Sequence, residues 1–73
     1  MLPAKNDPLW GKVISDQHNF EFKSLPARMM YSRVRQLISS DDSKRDDALE
    51  IVYAFFKKNE DSVEHDLELI KAA

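Results

Sequence analysis

SLPARMMYSRVRQLIS, residues 24–39, carries one apolar stripe on a helical period. Ala27, Met30, Tyr31, Val34, Leu37 and Ile38 fall at i, i+3, i+4, i+7, i+10 and i+11, the spacing that keeps side chains on one face of an α-helix. Ser24 is a natural N-cap, and Pro26 suits the first turn, where a missing N–H costs nothing. The run Ser39-Ser40-Asp41-Asp42-Ser43 then stops the pattern with side chains that bond their own backbone. These signals predict a helix over about 26–39.

Downstream, residues 44–58 enter on aspartates and leave on Lys57-Lys58, which matches the helix dipole at both ends. Ile51, Val52, Tyr53, Phe55 and Phe56 also suit a buried strand, but the length, two alanines and flanking charged helix-formers decide for helix. Its apolar residues cover an arc of about 200° at 100° per residue, so it is expected to be the central helix. A last helix is predicted over about 62–72, with Val63, Leu67 and Ile70 as a narrow stripe. Asp61 and Glu64 stand three apart, as in a capping box. Residues 42–50 and 61–68 read alike, which shared helix-start grammar explains better than a duplicated unit.

Residues 1–25 carry weaker signals. Asn6-Asp7-Pro8 suits the start of a short helix bearing Leu9, Trp10, Val13 and Ile14. A β-hairpin is the rival: Lys12–Ser15 against Asn19–Lys23, with Phe20 and Phe22 alternating with polar neighbours. Gly11 disfavours the helix, and the balance leans towards a hairpin or extended arm. In either case Trp10, Phe20 and Phe22 must cover something. The expected fold is therefore mainly α: one domain over 1–73, with three helices preceded by an N-terminal arm, short helix or β-hairpin. The expected core is Trp10, Phe22, Met30, Val34, Leu37, Ile38, Leu49, Val52, Phe55, Phe56, Val63, Leu67 and Ile70.

At 73 residues the chain is a single thin domain, and burial and chain entropy nearly cancel at that size. It has no Cys, hence no disulfide or thiolate metal site, which is compatible with a reducing cytoplasm, the expected location. No apolar run reaches the length that spans a bilayer, and the N-terminus lacks the apolar stretch of a secretion signal. The staple that small domains often need is expected to be another protein chain or a second copy of this one.

Charge divides the chain in two. Residues 1–40 hold six Lys/Arg against three acids, a net of +3, whereas residues 41–73 hold five against ten, a net of −5. Such a split either orients internal packing or offers two faces to partners.

The residue inventory argues against an enzyme. His18 and His65 lie far apart in sequence, and Gly11 alone cannot build a phosphate loop. The serines sit in caps and turns, and the paired aspartates sit where a helix dipole accounts for them. Asp61, His65 and Glu68 fall at i, i+4 and i+7 on one helical face, where they could hold a divalent cation, but two carboxylates and one imidazole read best as a solvated acidic surface. No cofactor or metal is expected.

Arg28, Arg33, Arg35 and Gln36 on the first predicted helix are side-chain types that read bases, which makes a small nucleic-acid binder the alternative function. Against it stand a pI near 5.6, acidic later helices and a connector without the glycine turn of helix-turn-helix readers. Pairing of these arginines with the acidic half, within the fold or across a dimer, is the plainer expectation. Met29 is the informative anomaly. It points away from the stripe, beside Arg33 and Gln36, and Met rimmed by Arg resembles the centre of an interface. Leu69 is a similar off-stripe residue. The edge of the wide arc, Tyr53 and Phe56, is a second exposed apolar site. The sequence thus predicts a non-catalytic protein-interaction module, an adaptor, inhibitor or accessory subunit, docking through Arg28, Met29, Arg33, Gln36, Tyr53 and Phe56.

Overall fold

Asp7 opens the first helix by accepting a hydrogen bond from the Leu9 amide at 2.9 Å. The computed structural model describes residues 2–73, with α1 at Leu9–Ile14, α2 at Leu25–Ser40, α3 at Arg45–Lys58 and α4 at Glu64–Ala72. A single 3₁₀ turn, Asp42–Lys44, joins α2 to α3. Among the described residues there is no strand, so the fold is mainly helical, as expected, and the hairpin is not formed. Lys12–Ser15, the proposed first strand, instead forms the last residues of α1 and its C-cap.

Local chemistry explains the boundaries. Ser24 caps α2, its hydroxyl accepting from the Ala27 amide at 3.3 Å, with Pro26 in the first turn. The far end is loosened by Ser39 and Ser40, whose hydroxyls donate back to the carbonyls of Arg35 and Gln36. Asp41 accepts from the Ser43 hydroxyl at 2.7 Å and the Ser43 amide at 3.0 Å, and these donors hold its carboxyl below the ordinary aspartate value. Helix α3 carries Asp46 and Asp47 in its first turn and Lys57 and Lys58 in its last, as the dipole favours.

The start of α4 departs from expectation. Asp61 and Glu64 form no capping box; Asp61 lies in a turn closed by the Asn59 carbonyl, which accepts from Ser62 and Val63, and Val63 takes the cap position without a side-chain bond. With Asp61 outside the helix, Asp61, His65 and Glu68 lose their common helical face.

The packing keeps α3 against both α1 and α2, as a central helix should be, and adds a second centre. Helix α1 approaches α2, α3 and α4, while α2 and α3 pack on each other. The six-residue α1 is a second hub beside α3, since it meets all three other helices. Trp10 makes this possible: it is 1% exposed, meets Tyr53 edge-on at 5.6 Å and Phe56 at 5.5 Å, and its indole N–H donates to the Ala4 carbonyl at 2.9 Å. Phe56 in turn meets Phe22, which stacks on Phe20 and meets Tyr31 edge-on. Burying such rings supplies most of what a small core has to offer. The radius of gyration, 11.2 Å, is that of a fully compacted chain of this length.

Nine of the expected core residues are buried: Trp10, Phe22, Met30, Val34, Val52, Phe56, Val63, Leu67 and Ile70. Leu37, Ile38, Leu49 and Phe55 are only half-buried, and Val13, Ile14, Ala27 and Ala48 take up the core instead. The exchange follows from the packing just described. The α1 hub buries Val13 and Ile14, and the small side chains of Ala27 and Ala48 are fully enclosed, where helices can approach closely.

Candidate interaction surface

Between α1 and α2 the chain turns at Asp16-Gln17, runs irregularly through 18–22 and bends at Lys23-Ser24, and no strand pairs with it. Within it Ser15 accepts from the Gln17 amide at 3.1 Å, and three side chains from the helices hold several of the backbone groups along it. Arg35 of α2 donates from one nitrogen to the carbonyls of Ile14 and Ser15 at 3.1 and 3.0 Å, and from the other to Asp16 at 2.7 Å. The Tyr31 hydroxyl accepts from the Phe20 amide and donates to the His18 carbonyl, both at 3.3 Å. Asp66 of α4, 1% exposed, accepts from the amides of Lys23 at 2.6 Å and Ser24 at 3.2 Å. Asp66 thereby ties α4 to the entrance of α2, where a negative charge also suits the dipole. Nothing in the sequence marked Asp66 as buried, although its place between Val63, Leu67 and Ile70 was a usable signal.

This network takes Arg35 out of the exposed arginine surface. It is partly covered and bound to α1, so the basic face expected of α2 is reduced to Arg28 and Arg33. Among the described residues neither of these has a carboxylate within ion-pair distance. Among the described residues the expected pairing of the basic with the acidic half comes down to the ion pair of Lys5 with Glu50, both more than half exposed, an arrangement worth little to stability.

Met29 is 65% exposed, and with Leu25 at 60% it is one of two large apolar residues standing clear of the fold among the described residues. It does not stand alone. Met29, Arg33 and Gln36 of α2 face Ile51, Ala54, Phe55 and Lys58 of α3 across an open groove of about 990 Å³, with Met30 in its lining. The two rows have matching periods. Met29, Arg33 and Gln36 stand at i, i+4 and i+7; Ile51, Ala54, Phe55 and Lys58 stand at i, i+3, i+4 and i+7. Phe55 is half-buried because its ring leans edge-on against Phe56 while its other side borders the groove.

The predicted contact residues therefore separate. Met29, Arg33 and Gln36 share the groove; Arg28 is exposed on α2 but does not line it. Tyr53 lies elsewhere, half-buried against Trp10 with the Lys57 ammonium 5.8 Å above its ring. Phe56 is fully buried and is removed from the surface: the side of the wide arc that borders the groove is Ile51 and Phe55. Leu69 packs against the core rather than standing free.

Among the described residues no group of three His or acidic side chains is placed to hold a metal ion, and no helix is long and apolar enough to cross a membrane. No family model, curated protein or solved structure matches this chain.

Proposed function

We propose that the protein is a non-catalytic interaction module, an adaptor, inhibitor or accessory subunit, that docks on another protein through the α2–α3 groove. The observation that carries this reading is the exposed Met29 beside the half-buried Phe55 and Ile51, in a recess bordered by arginine that has no ionic partner at home. Met and aromatic groups in a recess supply the desolvated contact that dominates binding energy, and the rim charge sets encounter and orientation. The folded chain gains nothing from exposing Met29, whereas a bound partner would bury it.

The test is recovery of binding proteins by the wild-type chain and by a Met29→Ala, Arg33→Glu double variant. Both positions are exposed, so the variant is expected to keep the wild-type melting transition within about 0.5 kcal/mol. Recovery of specific partners should fall severalfold. Equal recovery by the two proteins would overturn the groove as the docking surface. Retention on duplex or single-stranded oligonucleotides, lost with salt, would instead favour nucleic acid on Arg28 and Arg33.

A further inference from the structure

Resting on that reading, we infer that the groove is the seat of a single amphipathic α-helix from the partner, carrying apolar residues on one face and Asp or Glu along its flanks. Shape, length and charge each narrow the occupant. Two packed helices presenting adjoining rows at i, i+4 and i+7 leave the recess that a third helix fills, with ridges entering grooves. No strand edge exists among the described residues to which an extended peptide could add. From Pro26 to Gln36 the α2 side of the groove is eleven residues, or about 15 Å over ten rises of 1.5 Å. That length accepts about three turns, with anchors at i, i+4 and i+7.

Charge fixes the flanks. Arg33 and Lys58 border the groove from opposite helices, and no carboxylate lines it among the described residues. Neither cation has an ion-pair partner there. A helix with basic flanks would be repelled from both sides; one with acidic flanks is paired on both. The chain's own acidic helix is not the occupant, because Val63, Leu67 and Ile70 of α4 are already buried in the fold. A second copy would therefore have to unfold α4 to offer its apolar face.

The experiment is selection from a display library of random peptides about 15 residues long against the intact chain, with the M29E and R33E variants as controls. Selected peptides are expected to carry Leu, Phe or Met at i, i+4 and i+7 with Asp or Glu flanking, and to become helical on binding by circular dichroism. M29E should weaken them at least about tenfold, the effect of removing a central anchor. R33E should weaken acid-flanked peptides and tighten versions whose flanks are changed to Lys. Peptides that depend on Met29 but are extended, or basic, would overturn the acidic helix while leaving the groove as a docking surface. Selected peptides indifferent to M29E, or no selection at all, would overturn both. A dimer in solution that M29E dissociates would replace the partner's helix with a second copy, and that too overturns the inference.

Discussion

Asp66 shows how much one side chain decides in a domain this small. Its carboxylate is enclosed and serves two backbone amides in a segment that has no other partner for them. Asp66→Ala would leave the Lys23 and Ser24 amides without an acceptor beneath α4. Hydrogen bonds to a charged group are worth about 1.5–3 kcal/mol, so the variant should lose about that much stability. In a domain of this size each kcal/mol moves the melting temperature by about 4–8 °C. Thermal unfolding followed by circular dichroism reads the loss directly, and a wild-type midpoint would mean that Asp66 is not the tie between α4 and α2. Sequence reasoning found Met29 from its place on the helical wheel, because exposure follows from periodicity. It did not find Asp66, although the residue lies on the Val63/Leu67/Ile70 stripe, because the amides that hold its carboxylate are more than forty positions away. Arg35 was misjudged for the same reason: its partners are carbonyls about twenty positions away.

The elements were legible in proportion to how local their causes are. Helices α2 and α3 are written in capping residues, periodicity and end charges, all within a few positions of where they act, and their boundaries shift by only a residue from those expected. Residues 19–23 alternate like a strand yet pair with none; Tyr31 and Asp66 bond the Phe20 and Lys23 amides where a neighbouring strand would. Period alone does not separate those outcomes. Gly11 offers a sharp test of α1. Its backbone has no positive φ, and an added Cβ meets nothing within 4 Å. Ala is favoured over Gly in a helix interior by about 0.5–1 kcal/mol, so Gly11→Ala should stabilise the protein by about that amount in chemical denaturation. Destabilisation would point to a turn at Gly11 and against the helix.

At the scale of the whole molecule, the segment hardest to read supplies a second centre beside α3. Trp10 and the rings of Phe22 and Phe56 join all parts of the core, and α1 touches every other helix. With the hub on one side of the α2–α3 pair, the other side is left open, and that open side is the groove. The charge split contributes there: α2 brings Arg33, α3 brings Lys58 from its basic last turn, and the acids of α3 lie at its opposite end. The sequence showed the asymmetry and the odd methionine, but only the packing of α2 on α3 puts Met29, Phe55 and the two cations around one recess. The folded state therefore leaves Met29 standing clear of the core beside half-buried Ile51 and Phe55.

Met29 and Met30 both line that recess, one exposed and one buried, which makes their methyl groups reporters of its occupancy. The most direct measurement is the methyl NMR spectrum of the chain labelled at methionine, recorded free and saturated with a protein partner recovered by affinity capture. Both resonances are predicted to move or broaden in the complex, Met29 by the larger amount. A tight complex that leaves both methyl signals unchanged would contradict docking through the α2–α3 groove.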